Sequence, residues 1–159
     1  MGQKIRIIDS NFAIPYDYLD HAYNALCELN TKDALKRGRA LEDIYEKPQD
    51  STSVSNNPNK WFNGLDWNYD EIYKSTEEIL HALGFETEIL QSGDLEIVGF
   101  EGEMGDEDAF LKALAPFVEY DGSYIMWVGE VDKYGCVWKN VFNNGKMKTF
   151  YIALPEIKS

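Results

Sequence analysis

The stretch Cys136-Val-Trp-Lys-Asn-Val-Phe-Asn-Asn-Gly-Lys-Met-Lys-Thr-Phe-Tyr-Ile-Ala-Leu154 decides the fold class. At its centre, Asn144-Gly145 fits a two-residue hairpin turn, whose central positions both need positive φ. Strands are expected at 136–143 and 146–154, with Trp138 opposite Tyr151 and Phe142 opposite Met147. Just upstream, Ser123-Tyr-Ile-Met-Trp-Val-Gly-Glu130 reads as a third strand, joined by a turn over 132–135. The result is an antiparallel meander.

A second hairpin precedes it. Residues 85–90 and 94–100 flank Gln91-Ser92-Gly93. A three-residue loop with Gly93 left-handed pairs Leu90 with Asp94, Ile89 with Leu95 and Glu88 with Glu96. Phe85, Thr87, Ile89, Leu95 and Ile97 then share one face, and Glu86, Glu88 and Glu96 the other. A two-residue loop would mix these sets. The preferred register puts Glu88 against Glu96, a mildly destabilising like-charge pair.

Helical spacing accounts for much of the rest. Ile14-Pro15 opens a helix with an apolar stripe of Leu19, Ala22, Tyr23, Leu26 and Leu29. Asn30-Thr31 ends it and caps a shorter helix over 32–38. Ile72, Thr76, Ile79, Leu80 and Leu83 mark another, firm from Thr76, with Ser75 and Glu78 as a capping box and Gly84 as its stop. Phe110, Leu111 and Leu114 mark a short helix stopped by Pro116. Residues 4–8 read as a short strand. The expected fold is α+β: an antiparallel sheet of hairpins with two or three helices packed on one face. One domain is expected over 1–159, with a flexible loop at 46–60, a polar run whose one β-branched apolar residue is Val54.

Charge narrows the class of partner. The chain carries 28 acids against 15 bases, and residues 66–132 hold 18 acids with only Lys74 and Lys112 to offset them. Direct binding to nucleic acid or to an anionic membrane is not expected, because phosphate is met by an excess of Lys and Arg. No apolar run is long enough to span a bilayer. The N-terminus lacks a signal-peptide pattern, so a cytosolic location is expected. Cys27 and Cys136 are too few for a disulfide scaffold or a zinc site and read as buried inert thiols.

Chemistry-bearing residues are sparse. His21 follows Asp17 by four positions, but no nucleophile or second ligand accompanies it, and His81 stands alone. The acids Glu101, Glu103, Asp106, Glu107 and Asp108 form a loop without the one-three-five-twelve ligand spacing of a calcium loop. Gly99, Gly102 and Gly105 are followed by no Lys-Ser/Thr pair, so a phosphate loop is rejected. No cofactor, metal or catalytic residue is therefore expected, and the chain is read as a non-enzyme, with a small hydrolase built on His21 and Asp17 as the remote alternative. Asp106, Glu107 and Asp108, at the start of the short helix that carries Phe110, suit the positive end of its dipole. Glu86, Glu88 and Glu96, together with the acidic loop, form a carboxylate surface whose density approaches that of phosphates along nucleic acid. Trp61 and Phe62, beside the polar loop, are candidate interface anchors.

The pattern Ala113-Leu-Ala-Pro-Phe-Val118, Gly122-Ser-Tyr-Ile-Met-Trp-Val-Gly-Glu130, Val137-Trp138, Val141-Phe142 and Gly145-Lys-Met147 resembles small acidic proteins of bacteriophages and related mobile elements. The likeness covers roughly residues 76–150 and rests on hairpin and core residues, so it transfers no site residues. It implies an inhibitor of a host-defence nuclease, such as an anti-CRISPR protein that blocks Cas9. The expected function is thus a stoichiometric inhibitor that binds a basic nucleic-acid-binding protein of the host cell. The alternative is an immunity protein or antitoxin that neutralises a basic toxin.

Overall fold

A computed structural model of the chain describes residues 4–39, 58–103, 105–131 and 134–152. Its organising element is the N-terminal strand β1 (Lys4–Ser10). On one side β1 pairs antiparallel with β8 (Ser123–Val131), Ile5 facing Gly129 and Ser10 facing Ile125. On the other it meets β7 (Gly102–Glu103), Lys4 facing Glu103. Ile8 is the extra residue of a bulge between Ile7 and Asp9 and is pushed out to solvent. Past the bulge the same chain becomes β2 (Ala13–Ile14), which pairs with β6 (Leu95–Phe100). Ile97 N–H donates to Phe12 O at 3.2 Å, bridging the two paired stretches. Residues 4–14 therefore run as one bent strand along residues 95–103, and β5 (Phe85–Ile89) closes that side.

The other side is the meander. β9 (Tyr134–Asn143) pairs with β8, and β10 (Lys146–Ile152) pairs with β9. Asn144 (φ 53) and Gly145 (φ 73) make the turn. Trp138 stands opposite Tyr151 and Phe142 opposite Met147, as the turn chemistry dictates. Of the turn expected over 132–135, Tyr134 and Gly135 are strand residues paired with Val131 and Glu130, and 132 and 133 lie outside the described residues.

Alternation then decides the layers. Ile5, Ile125, Trp127, Trp138 and Phe142 point to the buried face. Arg6, Tyr124, Met126, Val128 and Lys139 point away and stay exposed or half-buried. Helices α1 (Leu19–Glu28), α2 (Tyr69–Ile72), α3 (Thr76–Leu83) and α4 (Glu107–Leu114) cover the buried face. Leu26, Ile79, Leu80, Phe110, Leu111 and Leu114 complete one core with the sheet residues. Trp127 and Trp138 stack within it, 5° from parallel. Trp127 Nε1 donates to Asn140 Oδ1 at 2.7 Å, so the indole is buried without losing its partner. The fold is α+β, its strands forming antiparallel sheets of five, three and two strands among the described residues, with the helices packed against the core face.

Several local expectations need correction. No α-helix forms at 32–38; two 3-10 turns, Leu29–Thr31 and Asp33–Leu35, lead into strand β3 (Gly38–Arg39). A buried ion pair explains this. Lys36 Nζ reaches back to Asp33 Oδ1 at 2.7 Å and Asn30 O at 2.8 Å, which ties the turns down under Phe62. Residues 46–57 of the expected loop lie outside the described residues, while Lys60 is already in strand β4 (Lys60–Trp61), opposite Arg39. Ile14 ends strand β2 rather than opening a helix, and the chain enters α1 through a 3-10 turn at Tyr16–Tyr18.

Candidate protein-binding surface

The 85–100 hairpin is built in the expected register. Leu90 N–H donates to Asp94 O at 2.9 Å, Gly93 has φ 90, Ile89 faces Leu95 and Glu88 faces Glu96. A bulge at Val98, not foreseen, shifts the far end so that Glu86 faces Gly99 and Phe85 faces Phe100. The bulge seats Phe100 in the core, where its ring packs 4.9 Å from Phe85 and 5.2 Å from Trp127. The Glu86 carboxylate folds across Gly99; a Cβ there would stand 2.7 Å from Glu86 Oε2. Ile89, expected on the core face, is 49% exposed because the sheet ends beside it.

Glu86, Glu88 and Glu96 thus lie on one face, about 7 Å apart along the strand and about 5 Å across it. Among the described residues none of the three joins a salt bridge. β5 is an edge strand, so its charges also discourage a foreign strand from pairing with it.

The acidic loop divides into two kinds of residue. Glu101, Glu103 and Asp108 are exposed, and Glu103 sits opposite Lys4 in the sheet. Asp106 and Glu107 are buried, which corrects their assignment to an open surface. Asp106 Oδ2 accepts from Asn63 N–H at 2.8 Å and Arg37 N–H at 3.4 Å, and Oδ1 lies 3.2 Å from Arg37 Nε. It clasps the segments around residues 37 and 63 to the start of α4. Glu107 Oε2 accepts from Gly105 N–H at 2.7 Å, and burial pushes its carboxyl above the usual range. Beside the local Lys112, the cations come from elsewhere in the chain. Lys32, Arg37 and Lys112 rim a cleft of about 450 Å3 between the end of α1 and α4.

Phe62 is fully buried, edge-on to Phe110 at 4.9 Å, and cannot anchor a partner. Trp61 is half-buried and lies over Gly38; a Cβ on Gly38 would stand 2.1 Å from Trp61 Nε1. His21 is exposed, near the Tyr18 ring. His81 Nε2 lies 2.7 Å from Thr87 Oγ1, a contact that joins α3 to β5. Cys27 and Cys136 are half-buried rather than fully enclosed, and burial raises the Cys27 thiol, which keeps it protonated. Among the described residues no group of three or more His, Cys, Asp or Glu comes together to hold a metal, and no helix is long and apolar enough to cross a membrane.

Of the expected surface acids, Glu86, Glu88 and Glu96 share the hairpin face and Glu101 and Glu103 are exposed beyond it, whereas Asp108 lines the cleft with Lys32, Arg37 and Lys112, and Trp61 lies at a separate place beside β3. No protein-family model matches the chain, and neither a curated protein nor a solved structure is significantly similar to it.

Proposed function

We propose that the protein is a stoichiometric inhibitor that binds the basic surface of a nucleic-acid-handling protein, a Cas9-type effector nuclease being the first partner to test. The observation that carries this reading is the hairpin face. It holds Glu88 directly against Glu96 with Glu86 alongside, and none of them has a cation partner among the described residues. Opposed like charges cost stability in the free protein, and a cationic partner would relieve that cost on binding. Glu101 and Glu103 follow the same hairpin and extend its charge.

The test mixes the purified chain with a guide-loaded Cas9-type nuclease and, separately, with a basic toxin nuclease. Inhibition should saturate near one chain per nuclease. Association should slow as salt rises, because the Debye length falls from about 10 Å at 0.1 M to about 3 Å at 1 M. A variant carrying Glu86→Gln, Glu88→Gln and Glu96→Gln should inhibit at least about tenfold more weakly while melting no lower. Inhibition of the toxin alone favours an immunity protein. Unchanged behaviour of the variant leaves these glutamates as edge protection and solubilising charge.

A further inference from the structure

Three exposed tyrosines lie on segments that the fold brings side by side. Tyr16 is 64%, Tyr18 49% and Tyr120 68% exposed. Three segments bring them together. Tyr16 N–H donates to Asp94 Oδ1 at 2.9 Å, and its ring lies over the hairpin turn, so that a Cβ on Gly93 would stand 2.7 Å from Tyr16 Cδ2. Glu119 N–H donates to Ala13 O at 2.9 Å, which lays the segment after α4 beside the one that leads into α1. The Tyr18 and Phe117 rings are 6.5 Å apart. The negative charge of Glu119, and less so that of Asp94, raises the Tyr120 hydroxyl above its ordinary value. Leu90 is exposed at the same turn, where Gly93 N–H donates to its carbonyl.

This patch is not explained by solubility, since exposed aromatic rings work against it. Residues 15–18, 90–94 and 117–121 contain no Lys or Arg, yet supply Asp17, Asp94, Glu119 and Asp121. Flat rings beside carboxylates suit one chemical group above others. A guanidinium stacks on an aromatic face and donates in-plane to carboxylates at once, which an ammonium does less well. Tyrosine also gives large contact area at low cost in side-chain entropy.

We propose that this tyrosine–carboxylate patch is a contact region for an arginine-bearing segment of the partner protein, a proposal that rests on the basic-partner reading above. The test uses the full chain, isotope-labelled for NMR, titrated with acetyl-Gly-Arg-Leu-Arg-Gly-Arg-amide and with the same peptide carrying Lys for Arg. Shifts should centre on Tyr16, Tyr18, Leu90, Asp94, Glu119 and Tyr120, and the arginine peptide should bind about threefold or more tighter than its lysine twin. Tyr16→Ala with Tyr120→Ala should weaken the arginine peptide about tenfold. Tyr16→Phe with Tyr120→Phe, which keeps the rings, should retain most of the binding and guards against a folding artefact. Shifts confined to Glu86, Glu88 and Glu96, equal for both peptides, would overturn the patch while leaving a basic partner in place. No shift anywhere overturns the patch, and the nuclease assay then judges the wider reading by itself.

Discussion

Replacing Asp106 with alanine should destabilise the protein by about 3 kcal/mol, far more than any other acid of its loop. The figure follows from the clasp. The bond from Asn63 N–H at 2.8 Å is charge-assisted and carries about 1.5–3 kcal/mol. The Arg37 N–H contact, at 3.4 Å, adds a fraction of that. The Arg37 side chain is 63% exposed, so its ion pair is screened by water and contributes about 0–1 kcal/mol. Asp106→Asn keeps an acceptor but loses the charge, and about half the loss is expected. Asp108→Asn with Glu101→Gln, both at exposed positions, should stay within about 0.5 kcal/mol. Urea unfolding of all three variants checks this, with an unchanged slope and a shifted midpoint. An Asp106→Ala midpoint equal to that of the parent would refute the clasp and return Asp106 to the open surface.

Glu107→Gln should be at least as stable as the parent at neutral pH, since the amide oxygen can still accept from Gly105 N–H without a buried charge. Burial raises the folded-state value of this carboxyl, so the folded protein binds the extra proton. The parent therefore loses stability as pH rises out of the ordinary carboxylate range, and the variant's advantage should vanish toward pH 4, which melts across a pH series will show. Gly38→Ala should cost about 1–3 kcal/mol by displacing the Trp61 indole, seen as a lower melting temperature with altered tryptophan fluorescence. Trp127→Phe should cost about 2–4 kcal/mol, because it opens space beside Trp138 and strands the Asn140 oxygen, and near-ultraviolet dichroism should lose the stacked-indole signal.

What could be read in the chain was what local chemistry decides. Asn144-Gly145 fixes its turn through two positive φ angles, and Gly93 fixes the register that sets Glu88 against Glu96. Ser75 Oγ caps α3 by accepting from Glu78 N–H at 3.1 Å, an interaction three residues long. Long-range contacts were not legible. Nothing near Asp106 announces Arg37 and Asn63, so a buried clasp looked like a solvated run of charge. Phe62 looked peripheral beside a polar stretch, and only the position of Phe110 shows it to be core. The bulge at Val98 and the turns around Lys36 answer to tertiary packing, which overrides helical and strand periodicity. The tyrosine patch was invisible because its three segments are far apart in sequence.

The central place of β1 also has a consequence for how the protein is made. Ile5 must find Gly129, so closing the sheet spends roughly 4 kcal/mol of chain entropy on the intervening loop, whereas the hairpins at 85–100 and 134–152 close locally. β1 leaves the ribosome long before β8, the strand that covers most of it. Until residue 131 emerges, Arg6-Ile7-Ile8 has no β8 to join, and only Lys4 and Ile5 can pair, with β7, so a β-branched segment of the kind that nucleates aggregation stays largely open. Arg6 within that segment, and Lys4 before it, place charge where the nascent chain is most exposed to that risk.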